Sequence, residues 1–305
     1  MAEHDVIIIG SGLAGLTAGL FSARQGLSTL VFESNIPGGH LISIEKIEDF
    51  PGFPDGVSGY EICPNLQRQA SDNGAEFQRI EVLRLEAGNK TWSVVTEEES
   101  YQAKAVIVAT GSTLKHLGVP GEEKLMGRGV SHCASCDGPM YNGQTVGVVG
   151  GGDSALQEAL TLANYADKVL LFHQEDSFAA QQTYVQRVLD NSKITPRYQT
   201  VVEEILGDEV VTGVRVRQSG ETIQVEFTGI FIYVGLQPNT VLLRDLVKLT
   251  DTGHVPTDNW MKTAGTGLYA VGDIRQDSAR QAITSAGDGA TAAIAAFRYI
   301  KETLR

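Results

Sequence analysis

The chain has few positive charges, few cysteines and no long apolar run, and each shortage argues against a class of protein. Its 24 Lys and Arg residues stand against 37 Asp and Glu residues, and the net charge of −13 disfavours binding to nucleic acid. No stretch approaches about 18 apolar residues, so we expect no membrane span. The first residues lack the basic and apolar regions of a signal peptide, and we expect a cytoplasmic protein. Three cysteines are too few for a disulfide scaffold.

Glycine, in contrast, is abundant, with 34 residues among 305, or about 11% against about 7% in average usage. This excess indicates tight turns and close approaches of the backbone. The length exceeds what one hydrophobic core usually serves, and the hydrophobic fraction of 42% is sufficient for two cores. The composition therefore predicts two folded domains of ordinary size.

The clearest motif lies at the start of the chain, where a glycine-rich turn follows a β-branched run. Residues Val6–Ile9 predict a buried strand that continues directly into Gly10-Ser11-Gly12-Leu13-Ala14-Gly15. A helix over Leu16–Gln25 and a second strand follow, and Glu33 comes eighteen residues after the last glycine. This G-x-G-x-x-G context predicts a dinucleotide site with its pyrophosphate at the helix N-terminus. The Glu33 carboxylate would accept hydrogen bonds from ribose hydroxyls and would repel a 2′-phosphate. This favours FAD or NAD over NADP.

The same pattern returns in the middle of the chain. Val146–Val149 predicts a strand that leads into Gly150-Gly151-Gly152 and then a helix. The sequence therefore predicts an α/β protein with two Rossmann-like dinucleotide-binding domains.

Two further apolar strands indicate how these domains are connected. The strand from Ala105 and the strand from Ile230 suggest that the second domain is inserted into the first, with crossings near His116 and Arg244. We predict a discontinuous first domain over residues 1–116 and 245–305, and an inserted NAD(P)-binding-like domain over residues 117–244. Two crossings form a hinge that permits rotation of one domain against the other.

Cys133 and Cys136 are separated by two residues, a spacing that lets two thiols close a disulfide. Such a pair either binds a metal or cycles electrons. Zinc usually requires two further ligands at short spacing, and Cys63 is the one other cysteine, so the redox role is favoured. Asp137 could protonate the leaving thiolate, or alternatively cap the following helix or turn. A protonated His132 would favour the neighbouring thiolate, although packing is its simpler role.

Two other residues carry expectations of their own. Asp273 follows a buried strand and a glycine, so its short carboxylate could hold a ribityl hydroxyl or a bridging water, or alternatively cap the next helix. Cys63 has no partner in sequence, and we expect it to be a small buried apolar residue.

Together these motifs resemble the low-molecular-weight thioredoxin reductases over essentially the whole chain. The matching stretches are Gly10–Gly15, Pro37–Leu41, Asp49–Gly52, Ala109–Ser112, Cys133–Gly138, Gly150–Ala155, Val271–Asp273 and Arg280–Gly287. The resemblance implies a homodimeric FAD flavoprotein in which the pair Cys133 and Cys136 takes electrons from the flavin. After a domain rotation the pair would reduce thioredoxin or a thioredoxin-like protein, with Asp137 as general acid.

The resemblance also implies that the first domain and the C-terminal segment bind FAD. Asp273 would lie on the ribityl or pyrophosphate side, and Gln281 and Ala282 near the isoalloxazine edge. The implied FAD-binding residues are Gly10, Ser11, Gly12, Leu13, Ala14, Gly15, Glu33, Gly39, His40, Leu41, Thr110, Gly111, Gly272, Asp273, Arg280, Gln281 and Ala282. No metal site is expected.

The second dinucleotide site departs from the family pattern. Where the family has a His-Arg-Arg-x-x-x-Arg type of sequence that clamps the 2′-phosphate of NADPH, this chain has His173-Gln174-Glu175-Asp176-Ser177-Phe178-Ala179-Ala180. A charge-assisted hydrogen bond contributes roughly 1.5–3 kcal/mol, so losing two weakens NADPH binding by on the order of 10²–10⁴-fold. Glu175 and Asp176 add repulsion. The sequence therefore disfavours NADPH as the electron donor.

Three explanations of this change remain open. The enzyme uses NADH, with Glu175 on the ribose hydroxyls, although Glu175 lies two residues beyond the usual acid position, which His173 occupies. Alternatively, the flavin receives electrons from ferredoxin or another carrier, which we favour, and the second glycine loop is vestigial. In the third explanation, the chain is a noncatalytic flavin-binding or electron-transfer subunit. The retained dithiol argues against this explanation.

The disulfide substrate is a separate question. The turn Gly127-Arg128-Gly129, which family members use to dock thioredoxin, is retained. The bulky aromatic pair after Cys-Asp-Gly is replaced by Pro139-Met140. Thioredoxin is therefore favoured over a small molecule, and a thioredoxin-like protein or a dedicated partner is the alternative.

Overall fold

A computed structural model describes residues 3–303. The strands are β1 Glu3–Ile9, β2 Thr29–Phe32, β3 Ala75–Gln78, β4 Arg84–Ala87, β5 Trp92–Val95, β6 Ser100–Val108, β7 Ser112–Leu114, β8 Val130–Ser131, β9 Thr145–Val149, β10 Lys168–Phe172, β11 Ile194–Arg197, β12 Thr200–Gly207, β13 Val211–Gln218, β14 Glu221–Glu226, β15 Gly229–Ile232, β16 Leu236–Pro238 and β17 Leu268–Ala270. The helices are α1 Leu13–Arg24, α2 Gly59–Asp72, α3 Ala134–Asp137, α4 Asp153–Leu162, α5 Gln182–Asp190 and α6 Ala282–Thr303. None of the helices within this described range is long and apolar enough to cross a membrane.

The chain divides into two compact units, and the second is inserted into the first. The inserted unit spans Leu114–Leu236, and the described residues on either side of it form the first unit. The first crossing therefore falls in β7, near His116 as the sequence suggested, whereas the second falls in β16, before the predicted Arg244. Residues 237–243 belong to the first unit because Leu243 is fully buried in its core and Asn239 bonds to Thr110.

The first unit is built on a seven-stranded sheet with the order β3-β2-β1-β6-β5-β4, in which β17 also pairs with β6. β1 is parallel to β2 and β6, and β17 is parallel to β6, so their carboxyl ends share one edge. Both faces of β1 are buried. Ile7 and Ile9 face one apolar cluster, and Val6 and Ile8 face another to which α1 and α6 contribute. The apolar run Val6–Ile9 is what a strand segment buried on both faces requires.

The inserted unit is built on a five-stranded parallel sheet with the order β11-β10-β9-β15-β8. One face of this sheet packs with Leu156 of α4 and Val188 of α5. The other face packs with Val202 and Val214, which belong to the antiparallel sheet β12-β13-β14. The expected α/β fold with two Rossmann-like units is confirmed.

Candidate functional site

The first glycine-rich loop connects the end of β1 to the start of α1. Gly10 has φ +98°, and a Cβ there would lie 2.4 Å from a neighbouring carbonyl oxygen. A Cβ on Gly15 would lie 1.9 Å from the Gly10 carbonyl oxygen, so the turn accepts only glycine at both positions. The helix begins at Leu13 rather than at the predicted Leu16, because Gly12 is already its N-cap.

The N-terminus of α1 is built to face a ligand. A Cβ on Gly12 would meet no atom within 4 Å, in contrast to those on Gly10 and Gly15. The first turn, Leu13-Ala14-Gly15, carries no acidic residue, and no side chain of the described chain caps it. Its N–H groups and its partial positive charge are therefore available to an anion. This is the cradle that a pyrophosphate requires.

Glu33 follows β2 and is tied to the glycine loop. Its Oε2 accepts hydrogen bonds from the N–H and the hydroxyl of Ser11, both at 2.8 Å. Its Oε1 accepts the Asn35 N–H at 2.9 Å. Carboxylate oxygens together offer about four lone pairs, so Glu33 retains capacity for a ribose hydroxyl. The structure thus brings the acid and the glycine loop together, as the motif predicts.

Gly39, His40 and Leu41 form a short 3-10 turn beside this loop. A Cβ on Gly39 would lie 3.4 Å from the Cα of Gly12, so the two backbones are in contact. The His40 Nε2 lies 2.6 Å from the carbonyl oxygen of Ser112, to which the ring donates a hydrogen bond. Gly39 and His40 are exposed and Leu41 is half-buried.

The ends of β6 and β17 complete the same edge of the sheet. The carboxylate Oδ2 of Asp273 accepts a hydrogen bond from the Ser112 hydroxyl at 3.1 Å. The Thr110 hydroxyl donates to the carbonyl oxygen of Asn239 at 2.6 Å, and the carbonyl oxygen of Gly111 accepts the Asn239 N–H at 2.9 Å. The carboxyl edge of a parallel sheet is where α/β folds bind dinucleotides.

Arg280, Gln281 and Ala282 occupy a separate turn that leads into α6. Ala282 is the first residue of the helix, and Arg280 before it has φ +55°. Arg280 is exposed, whereas Gln281 and Ala282 are half-buried. Asp273 does not cap this helix, because it lies in the turn Gly272–Ile274 directly after β17. The capping role considered for Asp273 is therefore wrong.

The second glycine-rich loop has a similar geometry between β9 and α4. Gly152 is the N-cap of α4, and a Cβ there would meet no atom within 4 Å. The His173 ring packs over Gly151, where a Cβ would lie 2.2 Å from the ring. The Ala179 N–H donates to the Gly151 carbonyl oxygen at 2.9 Å, which folds the segment 174–179 back over the loop.

Exposed carboxylates dominate the segment 174–179. Glu175 and Asp176 both lie at the surface, where Gln174 donates to the Glu175 carboxylate at 3.1 Å. Arg197 ends the neighbouring strand β11, and within residues 3–303 its buried Nε has no hydrogen-bond partner. The segment that would face an adenosine phosphate therefore presents negative charge.

The cysteine pair lies in the inserted unit at the start of α3. Cys133 and Cys136 form the expected disulfide, with their Cα atoms 5.3 Å apart. The Cys133 Sγ also accepts the Cys136 N–H at 3.3 Å. Cys136 is exposed and Cys133 half-buried, so the disulfide is accessible from the surface. Asp137 ends this short helix, and its N–H donates to the Cys133 carbonyl oxygen at 3.1 Å.

Comparison with known proteins places these features in a family. Residues 4–289 match the family described as pyridine nucleotide-disulphide oxidoreductase. The chain is 43% identical to a thioredoxin reductase of Mycolicibacterium smegmatis over 304 residues, which covers 98% of this chain and 97% of that protein. A crystal structure of Lactococcus lactis thioredoxin reductase matches with a TM-score of 0.96 at 38% identity, covering 98% of this chain and 99% of that one. The chain belongs to the thioredoxin reductase family.

This membership of the thioredoxin reductase family confirms the expected resemblance, the enzyme class and the cofactor. The protein is a flavin-dependent disulfide oxidoreductase, and its cofactor is FAD. The residues fit this group, because the uncapped N-terminus of α1, the open space at Gly12 and the Glu33 carboxylate match a dinucleotide. A further relative, named NADPH-dependent thioredoxin reductase 3, from Arabidopsis thaliana, is 38% identical and covers 97% of this chain and 58% of its own length.

One positioning pair in this thioredoxin reductase family member was missed by the sequence analysis. Asp288 on α6 is buried, and its Oδ2 accepts hydrogen bonds from the Arg275 Nε at 2.5 Å and the Gly272 N–H at 3.1 Å. The pair thereby holds the turn that carries Asp273. Arg275 and Asp288 are thirteen positions apart in the sequence, and no motif signals their contact.

Tyr233 is a second residue that was missed. It is buried just after β15, and its hydroxyl oxygen accepts the Ala134 N–H at 3.1 Å, at the start of the redox helix. Burial, together with the negative charge of Glu158, raises the pKa of Tyr233 well above its usual value. The phenol therefore stays protonated and can donate to Glu158. The sequence signals this contact between Tyr233 and the start of α3 only by placing a tyrosine directly after an apolar strand.

Proposed function

We propose that this enzyme reduces the disulfide of thioredoxin or of a thioredoxin-like protein in the cytoplasm, with electrons that reach FAD from a donor other than NADPH. Ferredoxin or another electron-carrier protein is the donor we infer. One observation carries this proposal: Gln174, Glu175 and Ala179 stand where the family pattern has arginines. Two of these residues are neutral and one is a carboxylate, so none of them attracts a 2′-phosphate.

In this proposal the residues of the first unit hold FAD. The N-terminus of α1 binds the pyrophosphate, and Glu33 accepts hydrogen bonds from ribose hydroxyls. Asp273 orients the ribityl chain. Gln281 and Ala282 lie near the isoalloxazine edge, as the family resemblance implies. FAD, when bound, supplies the two-electron chemistry that links the donor to the disulfide.

The residues of the inserted unit handle the disulfide. Reducing the bond between Cys133 and Cys136 takes two electrons and yields two thiolates, one of which Asp137 protonates as general acid. The remaining thiolate attacks the disulfide of the partner and forms a mixed disulfide. The second cysteine of the pair returns its proton to the Asp137 carboxylate and attacks this bond as a thiolate, which restores the Cys133–Cys136 disulfide. The partner leaves with both of its sulfurs reduced, and solvent protonates its thiolates.

Surface features close to the pair in sequence support a protein partner. Arg128 is exposed in the turn Gly127–Gly129, and Met140 shortly after α3 has 65% of its surface exposed. A cation and an apolar side chain offer a local docking surface on a chain whose net charge is −13. Because the proposed FAD residues and the pair lie in different units joined by two crossings, we also propose a rotation between the units. The homodimer that we propose rests on the family resemblance alone.

NADH is the second candidate donor. The N-cap Gly152 leaves an open approach to α4, as Gly12 does at α1. Glu175 is exposed in the segment that follows β10, and its carboxylate could accept hydrogen bonds from the ribose hydroxyls of a nucleotide that lacks the 2′-phosphate.

An anaerobic titration of the flavin absorbance tests the donor. We expect reduced ferredoxin and dithionite to bleach the flavin of the purified protein, and NADPH to leave it oxidised. Bleaching by NADH but not NADPH would favour the second candidate. Rapid bleaching by NADPH would contradict the proposal, because residues outside the 174–179 segment would then hold the phosphate.

A charge-restoring variant sharpens the same test. The triple substitution Gln174→Arg, Glu175→Arg and Ala179→Arg introduces the missing cations at exposed positions, so the fold should be unaffected. We expect it to strengthen NADPH binding by on the order of 10²–10⁴-fold, while NADH binding changes little. The triple substitution Gln186→Arg, Asp190→Arg and Gln224→Arg adds three arginines elsewhere in the same unit and serves as the matched control for net charge.

A further inference from the structure

A second cluster of ionisable side chains lies in the inserted unit, on residues that the proposed reaction does not use. One ring nitrogen of His116, one ring nitrogen of His132 and one carboxylate oxygen of Glu122 lie within 4.8 Å of one another. His116 follows β7, Glu122 lies in the next turn, and His132 directly precedes Cys133. Two imidazoles and a carboxylate are a donor set that transition metals use in proteins.

Glu122 is the buried member of the cluster, with only 2% of its surface exposed. Its oxygens accept the N–H groups of Leu117 at 3.0 Å and Gly118 at 2.6 Å, and they contact the His116 Nδ1 at 3.2 Å. The two backbone N–H groups bring only partial positive charge to this carboxylate. Because a buried carboxylate is costly unless it is paired or bound to a metal, a cation at this point would stabilise it.

His132 is oriented as a metal ligand would be. Its Nδ1 lies 3.0 Å from the carbonyl oxygen of Ile232. A carbonyl oxygen only accepts, so Nδ1 carries the proton, and in the neutral ring the lone pair lies on Nε2. Histidines that bind metals almost always donate their other ring N–H in this way, because the outer hydrogen bond fixes the tautomer and the ring orientation.

His116 supplies the adjustable ligand. Its side chain is 65% exposed, and its ring meets the His132 ring edge-on with the centroids 5.9 Å apart. Tetrahedral zinc with bonds of about 2.0–2.1 Å holds its ligand atoms about 3.4 Å apart. The His116 Nδ1 and a Glu122 carboxylate oxygen already lie at about this spacing, 3.2 Å apart, and the exposed His116 ring can reorient around an ion.

We propose that His116, Glu122 and His132 form a binding site for a divalent transition metal ion, with Zn²⁺ as the best-matched ion and water as the fourth ligand. Calcium and magnesium are excluded because they prefer oxygen ligands over imidazole. The sequence analysis expected no metal site, because these ligands lie on separate loops and their spacing matches no metal motif. The chain fold alone brings them together.

Calorimetric titration of the oxidised, FAD-loaded protein with Zn²⁺ tests the site. In this form Cys133 and Cys136 are joined as a disulfide and cannot bind zinc. The remaining cysteine, Cys63, is fully buried, and burial raises its pKa to about 11, so it offers no thiolate at neutral pH. We expect one Zn²⁺ per chain in the micromolar range or tighter.

Variants locate the ion and control for folding. His116→Ala and His132→Ala should each weaken zinc binding by at least about tenfold. His116 is exposed, so its replacement keeps the test valid if His132→Ala proves unstable. His254→Gln removes a histidine of the first unit and should leave zinc binding unchanged.

X-ray absorption at the zinc edge identifies the ligand atoms. We expect nitrogen and oxygen neighbours at about 2.0–2.1 Å and no sulfur at about 2.3 Å. Absence of zinc binding by the unmodified protein, equal binding by His116→Ala, or a sulfur neighbour would each overturn the proposal.

Discussion

At the scale of single residues, burial decides which of the three cysteines are reactive. Cys63 is fully buried, as expected, and burial raises its pKa to about 11, so its thiol stays neutral. Its Sγ donates a weak hydrogen bond to the Gly38 carbonyl oxygen, at 3.9 Å. Cys133 and Cys136 lie near the surface at the start of a helix and are joined as a disulfide. Reactivity therefore follows exposure rather than residue type.

Asp137→Asn tests proton transfer at the same scale. Asparagine keeps the size of the side chain and the backbone hydrogen bond to Cys133, but it cannot deliver a proton. General acids contribute about 10²–10⁴-fold, so we expect turnover of thioredoxin disulfide to fall by about 10²-fold while the flavin content is unchanged. Steady-state turnover and stopped-flow reduction, followed across neutral pH, measure the effect.

Asp137→Glu provides the control for this substitution. It restores a carboxyl group one methylene further out, and it should recover part of the lost turnover. Asp190→Asn removes an equal charge from the end of α5 and should leave turnover unaffected. Full turnover by Asp137→Asn would mean that another group or water protonates the thiolate.

At the scale of elements, the two glycine loops have the same local geometry and differ in their neighbours. Gly12 and Gly152 are both helix N-caps with open space in front of them. The first loop is bonded to Glu33 through Ser11, whereas the His173 ring packs over the second. The loop itself decides that a phosphate can approach. The residue that follows the next strand, Glu33 or His173, decides which nucleotide fits.

Gly12→Ala tests whether the open space in the first loop belongs to FAD. The added Cβ meets no protein atom, and φ at this position is −63°, so the fold should tolerate alanine. The methyl group would nevertheless occupy the path of the pyrophosphate. We expect FAD affinity to fall by at least about tenfold, which corresponds to a steric cost of only ~1.4 kcal/mol. Flavin released on dialysis, measured by its fluorescence, reports the change.

Gly152→Ala is the matched control, because it places the same methyl group at the same position of the second loop. It should retain FAD as the unmodified protein does. Equal flavin retention by Gly12→Ala and Gly152→Ala would show that the cofactor does not approach through the first loop.

At the scale of the whole molecule, burial of weak acids links stability to alkaline pH. Burial raises the pKa of Cys63 from 9.0 to about 11, and it raises the pKa of Tyr233 and Tyr269 above 10.0. The folded state therefore keeps protons that the unfolded state loses above these ordinary values. The stabilisation is complete below pH 9 and is lost as pH rises through 9 to 11 and beyond.

The expected result is a free energy of unfolding that falls with pH above 9. The slope should reach about 1.4 kcal/mol per pH unit from Cys63 alone and become steeper above pH 10 as the tyrosines contribute. Urea denaturation at a series of pH values measures it. Cys63→Ala should remove the decrease between pH 9 and 10, and a flat profile in the unmodified protein would contradict the prediction.

The amino-acid sequence by itself determined the features that depend on neighbouring residues. The strand, glycine turn and helix of each loop, the pairing of Cys133 with Cys136 and the absence of arginines at positions 174, 175 and 179 are all local patterns. Their geometry follows from backbone conformation and short spacing, so they are visible before the chain is folded.

Only the tertiary structure decided which distant groups meet. The bonds of Asp288 to Arg275 and of Tyr233 to Ala134, together with the grouping of His116, Glu122 and His132, join residues on separate elements. The same holds for the second crossing at β16, which depends on the burial of Leu243 in the first core. Such contacts depend on strand order and on which face of a sheet each helix covers. Neither the strand order nor the face that a helix covers can be predicted from the local pattern of residues.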